Sequence, residues 1–183
     1  MEIIQTEIEG VFVIKPTIYL DARGYFFESF SKRDFEKAVG HEVNFVQDNQ
    51  SKSVRGVIRG LHFQRPPMSQ AKLVRCIHGD ILDVAVDLRK NSPTFGKHVS
   101  VRLSSDSCSS IYIPHGFAHG FAVLSDEAII QYKCDNYYSK VDEGGIYAFD
   151  KTLNIDWGLP KDRAILSEKD KELPSLIDFT KNA

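Results

Sequence analysis

Cysteine is scarce in this chain, and long apolar runs are missing from it. Three cysteines, Cys76, Cys108 and Cys134, lie far apart in 183 residues. Their number is odd, and they have neither the CxxC spacing of a zinc site nor the density of a disulfide scaffold, so reduced thiols are expected. No stretch approaches the roughly 20 apolar residues that a membrane helix needs. The opening MEIIQTEIEGVFVIKP carries acidic residues and no long apolar run. A soluble, cytoplasmic protein is expected. Excess charge is lacking too: 23 Lys plus Arg stand against 25 Asp plus Glu, which gives no reason to expect a nucleic-acid or membrane partner. There is no internal repeat, low-complexity tract or linker, and the length suits one domain over 1–183 that can bury a real core.

What is present is alternation of apolar residues with period two, the mark of strands. ILDVAVDLR sets Leu82, Val84, Val86 and Leu88 on one face and Asp83 and Asp87 on the other with Ile81 and Ala85. Gly79-Asp80 separates it from KLVRCIH in a way that suits a tight hairpin. HVSVRL, SSIYIP, HGFAVL and EAIIQYKC continue the pattern. Helical sequence is sparse: Ser31 with Asp34 in SKRDFEKAV is an N-cap signature, and SEKDKELP repeats it before Pro174. The expected fold is mainly β, a small antiparallel barrel or jelly roll with a few short helices. Its core should span about residues 40–150, with an N-terminal arm and a C-terminal segment packed on it.

Such barrels hold ligands inside, so polar residues that share an apolar phase are the informative ones. Tyr132 is in phase with Ala128, Ile130 and Cys134; His119 with Phe121 and Val123; Lys72 with Val74 and Cys76. A buried tyrosine or histidine is commonly a hydrogen-bonded core residue, whereas a lysine among buried apolar groups is rare unless paired or working. RGLHFQRPPMSQAKLVR adds Arg59 and His62. Strict alternation puts these two on opposite faces, unless Gly60 between them marks a bulge. A metal is not expected. His62-Phe63-Gln64 lacks the second histidine of a metal-binding cupin, no carboxylate follows in RPPMSQAK, and two imidazoles make a poor divalent site.

RGLHFQRPP, QAKLVRCIHGDILDVAVDLRKNSPTFG, IPHGFAHGF, YKCDNYYS and LSEKD, in that order, resemble the dTDP-4-dehydrorhamnose 3,5-epimerase family. From DARGYFFESF to LSEKD the likeness spans about four-fifths of the chain. It implies a cofactor-free, cupin-type jelly-roll homodimer acting on a dTDP-linked 4-keto-6-deoxy sugar. It further implies His62 as base, Asp170 as its orienting carboxylate, Tyr132 as acid and Lys72 as stabiliser of the enolate oxygen. His119 matches a substrate-binding position near that site, and Arg59 a diphosphate ligand. Arg23, Phe26 and Glu28 match an arm that contacts the nucleotide from the partner subunit. Gln47, Asn49, Tyr138, Glu143 and Lys169 match further binding positions. Two departures stand out: His115 where the family usually carries an acidic residue, and the looser YAFDKTLNIDW segment. A 3-epimerase, a 3,4-ketoisomerase, a nucleotide-sugar-binding jelly roll without turnover and a metal-dependent oxygenase are the competing readings.

Overall fold

The computed structural model describes residues 1–181. In chain order, β1 (Glu2–Gln5) and β2 (Phe12–Lys15) form an N-terminal hairpin, and β3 (Tyr19–Asp21) and β4 (Gly24–Phe26) a separate ribbon. After α1 (Lys32–Val39) come β5 (Gln47–Val54), β6 (Ile58–Gln64), β7 (Lys72–His78) and β8 (Asp80–Asp87). Then follow β9 (His98–Ser104), β10 (Ser110–Ile113), β11 (Phe117–Val123), β12 (Glu127–Cys134) and β13 (Glu143–Gly145). Two short helices follow, α2 (Glu168–Lys171) and α3 (Leu176–Lys181). A six-stranded sheet, β1-β2-β10-β7-β12-β5, faces a five-stranded one, β13-β6-β11-β8-β9, in a cupin-type jelly roll. Among the described residues no helix is long and apolar enough to cross a membrane.

The alternation that marks the strands also sorts three layers of core. Val74, Cys76, Ile111, Ile113, Ala128 and Ile130 of one sheet meet Ile81, Ala85, Phe121 and Val123 of the other. Outside the five-stranded sheet, Ile58, Leu61, Val84 and Val86 pack under Trp157, Leu153 and Leu176 of the C-terminal segment. Outside the six-stranded sheet, Phe35 of α1 packs on Phe12, Leu73 and Tyr112. Ser31 Oγ accepts from the Asp34 amide and Gly40 closes α1 in the left-handed conformation. Burying a side chain such as Phe35 contributes roughly 2 kcal/mol, which anchors the short helix as local propensity could not.

One expectation requires correction. Gly79-Asp80 is a corner and not a hairpin: β7 and β8 lie in different sheets, and the chain crosses between them there. A Cβ on Gly79 would lie 2.2 Å from the Glu127 carbonyl oxygen, so the crossing is too close for any side chain. Strand β8 buries both of its faces, because the facing sheet covers one and the C-terminal segment the other. Asp87 is satisfied there by Arg89, Ser92 and Thr94. The third helix, α3, was not expected, since Pro174 reads as a stop and the two turns beyond it are too short for a periodic signal.

Candidate active site

The site begins with an irregularity in β6. Opposite it, β11 steps from His119, paired with His62, to Phe121, paired with Arg59, so Gly60 and Leu61 together face Gly120. Gly60 does mark a bulge, the case in which Arg59 and His62 need not lie on opposite faces. The extra residue turns Leu61 outward into the core beneath Trp157 and leaves Arg59 and His62 on the same inner wall. Gly60 has φ +127°, and a Cβ there would stand 2.5 Å from Gly120 Cα. Only glycine fits this crossing.

Between the sheets lies a cavity of about 450 Å³. Arg59, His62, His119 and Phe121 line it from β6 and β11; Ser51, Lys72 and Tyr132 line it from β5, β7 and β12; residues 165–170 close one end. A recess of about 160 Å³ shares His62, Lys72 and Tyr132 and adds Gln47, Asn49, Tyr138 and Glu143. The phases read for Lys72, His119 and Tyr132 therefore hold: all three face inward.

His62 Nε2 lies 2.6 Å from Asp170 Oδ1. The docking of the C-terminal segment makes this contact possible. Ile58 N–H donates to the Ile165 carbonyl and Ile165 N–H to that of Gly56, both at 2.9 Å, and Ser167 Oγ caps α2 by accepting from the Asp170 amide. Burial pushes the Asp170 carboxyl up, but His62, Ser167 and the Gly60 amide outweigh it and hold the group below its ordinary value. With Asp170 accepting from Nε2–H, Nδ1 of His62 keeps the lone pair of a base. A second pair stands beside the first: His119 Nε2 is 2.9 Å from Asp83 Oδ2, with the Asp83 side chain wholly buried.

Burial lowers the Lys72 ammonium, and Cys134, Asp83 and Glu143 oppose that shift by charge. Burial also raises the Tyr132 phenol, which keeps its proton available for donation. Arg59 is aimed by Ser53 Oγ, which accepts from Nε at 2.9 Å. At the mouth, Glu143 Oε2 accepts from Lys169 Nζ at 2.5 Å and from the Tyr138 hydroxyl at 3.0 Å. Burial raises Glu143, but these two donors carry it below its usual value. Gln47 donates to Asn49 Oδ1 and accepts from the Tyr138 amide. Among the described residues no group of three or more His, Cys, Asp or Glu is placed to hold a metal ion.

Three of the residues singled out in the sequence are not brought to the cavity within one chain. Arg23 and Phe26 project from the β3–β4 ribbon, with the Arg23 side chain 91% exposed and paired with Asp21. Glu28 lines a separate recess beside α1. Conversely, Asp83, Ser51 and Ser53 went unnoticed. Asp83 carried a signal, since its phase with Ile81 and Ala85 put an ionisable group on an apolar face. The two serines carried none, because the polar β5 lacks apolar alternation. His115, one of the two departures, holds Asp135 Oδ2 at 2.7 Å, while Asp135 Oδ1 accepts from the Ala71 amide next to Lys72. Trp157 of the other departure is buried, its indole donating to the Ala148 carbonyl.

A family model described as dTDP-4-dehydrorhamnose 3,5-epimerase matches residues 5–178. The chain is 53% identical over 178 residues to the dTDP-4-dehydrorhamnose 3,5-epimerase of Shigella flexneri, covering 97% of each. Its fold matches the crystal structure of that enzyme from Elizabethkingia anophelis with a TM-score of 0.94, at 48% identity and 97% coverage of both chains. It also matches a Legionella pneumophila 3,5-epimerase solved in complex with dTDP-4-keto-L-rhamnose, with a TM-score of 0.92, 46% identity, and coverage of 98% of this chain and 95% of that one. Likeness of this extent in sequence and fold, over nearly the full length of both partners, means that the chain belongs to the dTDP-4-dehydrorhamnose 3,5-epimerase family.

Proposed function

We propose that this chain inverts C3 and C5 of dTDP-4-dehydro-6-deoxy-D-glucose to give dTDP-4-dehydro-L-rhamnose. The observation that carries the reading is the division of one cavity between two walls, a carboxylate-held His62 on the five-stranded sheet and Tyr132 on the six-stranded one. Each inversion removes a proton beside the C4 ketone and returns one to the other face of a planar enolate, so it needs a base and an acid on opposite sides. His62 Nδ1 takes the proton, and Asp170 stabilises the resulting imidazolium. Tyr132 donates from across the ring. Lys72, with His119 beside it, steadies the negative charge on the C4 oxygen in a cavity poor in water.

Arg59 binds the diphosphate, its planar fork suiting phosphate oxygens. Gln47, Asn49, Tyr138, Glu143 and Lys169 receive the remainder of the nucleotide sugar. Arg23, Phe26 and Glu28 act on the neighbouring site of a homodimer. The exposed rings of Tyr19, Tyr25 and Phe26 support this, because an apolar ribbon of that kind calls for a partner surface. The setting is cytoplasmic, in keeping with three buried, unpaired thiols.

NMR of the reaction in deuterated water tests the reading. Deuterium at both C3 and C5 with conversion to the L-sugar supports it. Deuterium and inversion at C3 alone would make the protein a 3-epimerase, movement of the ketone a ketoisomerase, and binding without exchange a nucleotide-sugar-binding module.

A further inference from the structure

Among the described residues, two buried side-chain oxygens have no hydrogen-bond partner, Asp83 Oδ1 and Ser51 Oγ. Asp83 is held by its other oxygen. The Ser51 hydroxyl has no partner within the protein, so its hydrogen-bonding capacity is directed to whatever occupies the cavity it lines. Its neighbours are placed differently. Asn49, Ser51 and Ser53 alternate along β5, opposite Tyr132, Ile130 and Ala128 of β12. Asn49 donates to the Cys134 thiol and Ser53 accepts from Arg59. Ser51, between them, lines the cavity on the same wall as Tyr132 and diagonal to it.

We infer that Ser51 is a substrate-contact residue whose hydroxyl hydrogen-bonds an oxygen of the bound sugar beside Tyr132. This rests on the reading of the site as one for a nucleotide-linked sugar. A sugar entering the cavity gives up water around its own hydroxyls, and a serine that both donates and accepts can replace one of those lost bonds. The contact would fix the ring against the donor wall, so that the phenol meets the reacting carbon in a reproducible orientation.

The test is Ser51→Ala, measured with dTDP-L-rhamnose, which has no ketone and cannot turn over, and with dTDP alone. Calorimetry should show affinity for dTDP-L-rhamnose reduced by about two- to tenfold, the range of one net neutral hydrogen bond, with affinity for dTDP within about twofold of wild type. The melting temperature of the free variant should stay close to that of wild type, because the hydroxyl makes no bond within the protein. Unchanged affinity for dTDP-L-rhamnose would overturn the assignment. So would an equal loss for dTDP, which would move the contact to the diphosphate beside Arg59, or a clear fall in melting temperature, which would make Ser51 a structural residue. Neither ligand reacts, so these outcomes are separate from a wild-type protein that fails to epimerise, which would contradict the proposed activity alone.

Discussion

His62 and the carboxylate that holds it are 108 positions apart in the chain, and their 2.6 Å contact exists only because residues 165–170 dock against the start of β6. Removing the carboxylate while keeping its shape should expose how much the imidazole depends on it. Asp170→Asn is expected to lower kcat by roughly 10²–10⁴-fold with a smaller change in KM; steady-state kinetics showing wild-type kcat would remove Asp170 from the assignment. The same pair has a pH signature. The folded value of Asp170 lies below its ordinary one, so its stabilising contribution is present above the usual carboxylate range and is lost as pH falls through the folded value. The gap in melting temperature between wild type and Asp170→Asn should therefore close in acid. At this scale the sequence was legible for Lys72, His119 and Tyr132, polar side chains that share a phase with apolar ones. It was silent where the partner lies far along the chain. Asp170 came from resemblance, and Asp83, although in phase with Ile81 and Ala85, was not singled out because both faces of its strand carry apolar residues and alternation does not say which face is inside.

The bulge in β6 is the element that turns an ordinary strand into half of a site. It requires two glycines to cross, Gly60 and Gly120, where an added Cβ would meet backbone at 2.5 Å and 2.7 Å respectively. Gly60→Ala is expected to destabilise the fold by roughly 1–3 kcal/mol and, in the molecules that remain folded, to misplace Arg59 and His62 and depress kcat. Urea unfolding together with kinetics would check this, and a variant with unaltered midpoint and rate would contradict it. Gly60 could be suspected of this role from sequence because a lone glycine between two chemically pointed residues in a strand has few other uses. Gly79 misled for a related reason. The same residue type serves a hairpin and a corner between sheets, and only the long-range pairing of β7 with β10 and β12 decides between them.

For the whole molecule, the account requires a second copy. Within one chain Arg23 and Phe26 stand on an exposed ribbon away from the cavity, and the proposed function has them act on the neighbouring site. Mixing two impaired proteins tests this. One carries His62→Ala with an intact arm, and the other an intact cavity with Arg23→Ala and Phe26→Ala. After subunit exchange, the second protein's cavity would be served by the first protein's arm, and activity should rise severalfold above either parent. If the arm acts within its own chain, the mixture stays at the sum of the parents.

The central claim is that one cavity separates proton removal by His62 from proton return by Tyr132. The most direct measurement follows substrate deuterium and product stereochemistry together, by NMR in deuterated water, for wild type, Tyr132→Phe and His62→Ala. Exchange needs only removal and return on one face, whereas inversion needs a donor on the other. Tyr132→Phe should still exchange the substrate proton while inversion nearly stops, and His62→Ala should do neither. A Tyr132→Phe protein that inverts at the wild-type rate, or a His62→Ala protein that still exchanges, would contradict the account.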